Sequence, residues 1–232
     1  MKKILQTDRQ YNDNLNMYNK REGLSALLLF VIMCLGYAIL GCFAKYIKGS
    51  MMTCTNIIFN TVISAITIIL IKINKRNIST IGLKSGKEVL SIVIGGIFAA
   101  ILFYNNCLSH LLAGNRLLPV KKIIPLVISF LSVAVCEEFV FRGYIDTRIY
   151  SLVKHKSIAV ILTGILFILM HYPYRMLAYG MTLSDFFGNV GWIINLFVTH
   201  IVLSMIYMKT NSLYGAIIPH WVSNLAYEIV VR

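Results

Sequence analysis

Negative charge is scarce in this sequence. Nine Asp and Glu side chains stand against 22 Lys and Arg in 232 residues, and charged residues together make up only 13%. Soluble domains carry about 25%, so an ordinary water-facing globule is excluded. Cysteine is also sparse. Cys34, Cys42, Cys54, Cys107 and Cys136 lie in or beside apolar stretches with no CxxC pair, which argues against a disulfide framework or a zinc knuckle and leaves them as small buried hydrophobes. There is no internal repeat, no low-complexity tract and no soluble domain of useful size. The net charge of +13 is scattered over short loops rather than gathered on a face with interleaved aromatics, so nucleic acid is not an expected partner. The polar opening stretch "MKKILQTDRQYNDNLNMYNKREG" contains no apolar h-region. A cleavable signal peptide is therefore not expected, and the first span reads as an uncleaved signal.

What the chain does have is hydrocarbon: 58% of its residues are apolar. Apolar runs recur at the length of about 17–25 residues needed to cross a bilayer. Seven spans are expected, at 24–44, 51–71, 89–112, 123–147, 157–173, 190–208 and 212–231. The fold class is an all-α polytopic transmembrane helical bundle. Its expected parts are a polar cytoplasmic N-terminal segment (1–23), two transmembrane helices with a basic loop (24–84) and a core (85–232). Fourteen basic residues, Arg148 among them, fall to one side of these spans, seven fall to the other, and Arg142 lies inside one. That bias places the N-terminus in the cytoplasm of a multi-pass protein of the cell membrane. The Lys-, Ile- and Asn-rich composition is that of a low-GC bacterium, which makes the membrane a bacterial cytoplasmic one. The connection 72–89 reads as an ordinary basic loop, and the aromatics of "PYRMLAYGMTLSDFFGN" (173–189) read as an interfacial belt.

Against this background "VCEEFVFRGY", residues 135–144, is anomalous. Each charge costs roughly 2.5–3.5 kcal/mol near a bilayer centre, while each Leu or Ile returns only about 0.3–0.6. Glu137, Glu138 and Arg142 cancel most of the gain of their own span, so partners must recover the cost. The remaining ionisable groups inside spans are His171, His200 and His220. At about 1.5 Å per residue, Glu138 lies roughly 14 Å from the span end at Thr147, His171 about 21 Å in, His220 about 12 Å and Asn224 about 18 Å. Carboxylate, imidazole and amide thus occupy a common slab. Glu138 and Arg142, four residues apart, share a helix face and can pair. Glu137 points about 100° away and is left without that partner. Phe167 and His171 share a face, as do His220 and Asn224. Pro219 removes a backbone hydrogen bond beside His220 and loosens the helix there. His200 has no motif partner and reads as a core residue.

Two chemistries fit these groups. A carboxylate without a local counter-ion can take a proton from a water held against a peptide carbonyl, with imidazole and amide donors stabilising the oxyanion. Alternatively Glu137, His171 and His220 can hold a Zn²⁺ that acidifies the water, since His₂Glu with an open position is a hydrolytic set.

In three ordered motifs the sequence resembles the CPBP intramembrane proteases, which comprise the type II CAAX prenyl endopeptidases and their bacteriocin-processing relatives (the Abi family). EExxxR is "EEFVFR" at 137–142, followed by Gly143 and Tyr144; FxxxH is "FILMH" at 167–171; HxxxN is "HWVSN" at 220–224, after "TNSLYGAIIP". The resemblance covers roughly residues 85–231. It implies a membrane-embedded endopeptidase in which Glu137 activates water, Glu138 and Arg142 support the helix pair, and His171, His220 and Asn224 line the reaction site. It leaves open whether Zn²⁺ takes part. The chain departs from the family by carrying His200 and Ser204 where members often place glycines. The implied partners are the lipid bilayer and a peptide or membrane-protein substrate, with a bacteriocin precursor or signalling peptide favoured over a prenylated protein. A non-catalytic bacteriocin-immunity or scaffolding protein is the alternative. A proton-coupled transporter fits less well, because repeats or paired broken helices are missing.

Overall fold

The computed structural model describes residues 7–83 and 85–231; the charges expected at Lys2, Lys3, Lys84 and Arg232 lie outside them. In chain order the helices are α1 (Arg9–Met17), α2 (Lys20–Phe43), α3 (Ser50–Ile73), α4 (Glu88–Phe103), α5 (Ser109–Leu112), α6 (Val120–Glu138), α7 (Asp146–Val153), α8 (Lys156–Leu169), α9 (Tyr172–Tyr179), α10 (Leu183–Gly188), α11 (Val190–Thr210) and α12 (Tyr214–Glu228). The strands β1 (Arg116–Leu117) and β2 (Val230–Val231) pair antiparallel. The protein is an all-α polytopic bundle. Among the described residues, six helical segments are long and apolar enough to cross a membrane: Lys20–Phe43, Ser50–Ile73, Glu88–Leu112, Val120–Val153, Lys156–Tyr179 and Val190–Thr210. The seventh expected span, 212–231, folds as the 15-residue α12 and the short β2. At about 1.5 Å per residue α12 is shorter than a bilayer's hydrocarbon core.

These helices are apolar all round, as lipid-facing helices must be. α2 turns Leu24, Leu28, Leu35 and Ile39 outward and buries the small or slender Gly23, Ala26, Leu29 and Met33. Its start is fixed by a capping box: Asn19 accepts from the Glu22 backbone N–H at 3.1 Å, and Glu22 accepts from the Asn19 N–H at 3.0 Å. The polar N-terminal stretch is structured too. Asp8 caps α1, whose Tyr11 and Leu15 are buried against the bundle, and the carboxylate of Asp8 pairs with Lys87.

Two elements depart from the sequence reading. The connection after α3 is more than a solvated basic loop. It makes a 3₁₀ turn (Ile78–Ile81) that buries Ile81 completely, the carbonyl of Gly82 accepts from the Leu213 N–H at 3.0 Å, and Arg76 forks onto Glu22 at 2.9 and 3.0 Å. Span four also runs past Thr147 to Val153. Arg148, assigned to a loop, is therefore fully buried. Its guanidinium is sandwiched between the rings of Tyr18 at 4.0 Å and Tyr144 at 4.4 Å, and donates to the Gly143 carbonyl and the Thr147 hydroxyl, both at 2.8 Å. Cation–π contact and these hydrogen bonds replace its water.

Between α6 and α7, residues Phe139–Ile145 form a π-helix. It contains Arg142 and begins one residue after Glu138. A π-turn inserted in a long helix often marks a functional site. α12 also packs on α4, and at Gly95 and Gly215 the two backbones meet with no side chain between them. A Cβ added at Gly95 would stand 2.4 Å from the Gly215 carbonyl oxygen. Gly95→Leu is expected to destabilise the bundle by more than the roughly 1–3 kcal/mol of ordinary overpacking, because backbone cannot move aside like a rotamer. Gly96→Leu, which meets nothing within 4 Å, serves as the control. Equal thermal midpoints of the two variants in detergent would show that α4 and α12 are not in backbone contact.

Candidate active site

The carboxylates of α6 are buried, Glu137 with 4% of its surface exposed and Glu138 with none. Glu138 Oε1 is the better compensated. It accepts from Arg142 Nη1 at 3.0 Å and from His220 Nδ1 at 2.6 Å, so one oxygen ties α6, the π-helix and α12 together. Arg142, also fully buried, reaches the His200 carbonyl on α11 with its other nitrogen at 3.5 Å. The i,i+4 pairing expected from spacing is present although the backbone between the two residues is π-helical.

Glu137 is not left alone. Tyr37 on α2 donates its phenol hydrogen to Oε1 at 2.9 Å, and His220 Nε2 stands 3.6 Å from Oε2. The imidazole of His220 thus lies between the two carboxylates. His171 lies in the turn between α8 and α9, as the N-cap of α9, with Nδ1 2.8 Å from the Phe167 carbonyl. A carbonyl only accepts, so Nδ1 carries the proton and Nε2 of the neutral ring has a free lone pair.

Phe167 is the hub of the site. Its ring packs on His171 at 5.2 Å, His220 at 6.2 Å and Phe141 at 5.0 Å, with the Arg142 guanidinium 5.0 Å from its centroid. Glu137 and His171 line one cleft of about 180 Å³ with Tyr37, Tyr174, Arg175 and Tyr179. That is room for a few waters or a peptide backbone, well above the share of liquid volume of one water, about 30 Å³. The aromatics expected as an interfacial belt therefore include two tyrosines that wall the cleft. Nearby, the Arg175 guanidinium stacks on Trp192 at 4.2 Å.

The structure brings together Glu137, Glu138, Arg142, Phe167, His171 and His220. Asn224 lies one turn beyond His220, half-buried, and its carboxamide makes no hydrogen bond among the described residues. Three polar groups escaped the sequence reading. Tyr37 is a lone phenol in an apolar run. Asp146 lies beyond the motif at 4% exposure and accepts from Ser204 Oγ at 2.9 Å. Arg148 sat too near an expected span end to look buried. His200 is a core residue, its Nε2 3.2 Å from the Val160 carbonyl and 4.0 Å from Asp146 Oδ2. With Ser204, it occupies space that glycines would leave open.

The carbonyl and carboxylate that hold the two histidine Nδ1 atoms are outer partners of the kind a zinc site uses. Among the described residues, however, no three His, Cys, Asp or Glu side chains converge as a metal cage. Glu137, His171 and His220 are therefore not gathered into a metal cage in this arrangement.

Residues 119–226 match the family model described as type II CAAX prenyl endopeptidase Rce1-like. Neither the curated proteins nor the solved structures give a match. The matched segment runs from the start of α6 into α12 and holds every motif residue of the site. This is a multi-pass membrane protein whose residues 119–226 form an Rce1-like domain, similar to the type II CAAX prenyl endopeptidases.

Because Glu138 has its charge balanced by Arg142 at zero exposure, Arg142→Leu strands a buried carboxylate and is expected to cost about 3–5 kcal/mol. Combining it with Glu138→Leu should return most of that loss. A double-mutant cycle by reversible unfolding in detergent reads the coupling; additive losses would show that the pair is not a unit.

Proposed function

We propose that the protein is an intramembrane endopeptidase in which Glu137 activates water. The observation that carries this reading is the placement of a buried carboxylate, with one oxygen held by Tyr37 and the other 3.6 Å from His220 Nε2, on a cleft it shares with His171. Atoms 3.6 Å apart are too distant for a direct hydrogen bond and close enough to hold one water between them. Glu137 Oε2 takes a proton from that water as its oxygen bonds to the peptide carbonyl carbon. The Nε2 lone pair of His171 accepts a hydrogen bond from the water's second O–H and aims the attack. Charge developing on the carbonyl oxygen is met by the free Nδ2–H donors of Asn224 and, when its ring is protonated, by His220 Nε2–H. The tetrahedral adduct collapses as the C–N bond breaks, and Glu137 returns its proton to the leaving amine. Glu138 and Arg142 hold His220 in place.

The substrate is a peptide or a segment of a membrane protein that enters from the bilayer; a bacteriocin precursor or signalling peptide fits better than a prenylated chain. The membrane is read as a bacterial cytoplasmic one, with the N-terminus on the cytoplasmic side. The test is peptidomics of cells expressing the wild-type chain or Glu137→Gln at matched levels. Peptides that disappear in the variant are the expected result, with activity on them falling by about 10²–10⁴-fold. An unchanged peptide pool, with any protective phenotype intact, would favour a binding or immunity role. Asn224→Ala should lower turnover by about 10²–10³-fold, the effect of removing one oxyanion donor. Turnover is expected to persist in 1,10-phenanthroline. Loss on chelation and recovery with Zn²⁺ would restore the alternative in which Glu137, His171 and His220 bind metal.

A further inference from the structure

The phenol of Tyr37 makes the only hydrogen bond to the Glu137 carboxylate among the described residues. It comes from α2, outside the segment 119–226 that matches the protease family, so the family match assigns it nothing. Its seat is built by packing. The Tyr37 ring packs, tilted by 56°, on Phe59 of α3 at a centroid distance of 4.9 Å, and Phe59 occupies space that a side chain at residue 36 would claim. A Cβ at Gly36 would stand 2.4 Å from the Phe59 ring. Gly36, Phe59 and Tyr37 thus aim one hydroxyl at one oxygen across the bundle.

A glutamate carboxyl rotates over a broad, nearly two-fold torsional range about its last bond. His220 Nε2, at 3.6 Å, is too distant to stop it by a direct hydrogen bond. We infer that Tyr37 is a positioning residue for the hydrolysis proposed above. By binding Oε1 it fixes the carboxyl plane and presents Oε2 to the attacking water. The inference rests on the hydrolase reading and adds to it that the N-terminal helices complete the reaction site as well as anchor it.

Tyr37→Phe removes the hydroxyl and keeps the ring on Phe59. In the full-length protein, a peptide whose release depends on Glu137 is synthesised and its turnover measured in liposomes of phosphatidylethanolamine and phosphatidylglycerol. The expected result is a kcat lowered roughly 10- to 100-fold, the effect of losing a hydrogen bond to a charged group, with KM unchanged and the same thermal midpoint as the wild type. A wild-type kcat would overturn the assignment while leaving Glu137 as the base. So would a loss of kcat that merely tracks a fall in thermal midpoint, since that marks a packing role. If no peptide in the cell depends on Glu137, the hydrolase reading itself falls, and the role of Tyr37 with it.

Discussion

A charge placed in hydrocarbon has to be compensated by its immediate neighbours, and the architecture of the core follows from that requirement. Glu138 at zero exposure is tolerable because Arg142 and His220 both bind one of its oxygens. Those partners lie on the π-helix and on α12, so satisfying one carboxylate ties the end of α6 to a helix whose histidine is 82 residues further along the chain. The buried pair alone is weak support for stability, because desolvation offsets much of its attraction. Its larger effect is to specify arrangement. His220 cannot leave Glu138 without giving up one of the two hydrogen bonds on that buried oxygen, and while it stays its other nitrogen faces Glu137.

The division of labour between the two carboxylates follows from their surroundings. Glu138 has strong partners and no access to the cleft walls. Glu137 has a neutral phenol, a more distant imidazole and a cleft. Adjacent residues of the same type thereby hold different roles, one structural and one available for proton transfer. Phe167 separates the polar groups with an aromatic wall, keeping the histidines apart while seating Arg142 on its face.

Much of this was legible in the sequence. Charge scarcity and apolar run length gave the bundle, and residues 137–142, 167–171 and 220–224 marked positions that do converge, because depth along a straight helix follows from residue count. The same arithmetic failed where the helix was not straight or did not end where expected. Span four continues to Val153, so Asp146 and Arg148, at the end expected for it near residue 147, are buried. The polar stretch before α2 and the connection after α3 looked solvated because their few apolar residues, Tyr11, Leu15 and Ile81, are dilute in sequence and become a core only once docked. Tyr37 could not be paired with Glu137 from sequence, since a hydrogen bond across 100 residues has no local signal. Asn224 shares the HxxxN turn yet stands apart from the hydrogen-bonded cluster.

The π-helical stretch absorbs a difference in chain length locally. Its wider turns accommodate a residue that a regular helix would leave over, while the carboxylate end and the Arg148 end of the rod are each fixed to different neighbours. Deleting one residue between 139 and 145 would let the backbone relax into ordinary α geometry. The helices on either side would keep their phase, so Glu138 would stay on the imidazole and Arg148 between its two tyrosine rings, and only the side chains within the turn would be re-aimed. The turn is therefore where the direction of Arg142 is set, independently of the contacts that hold the rod at either end.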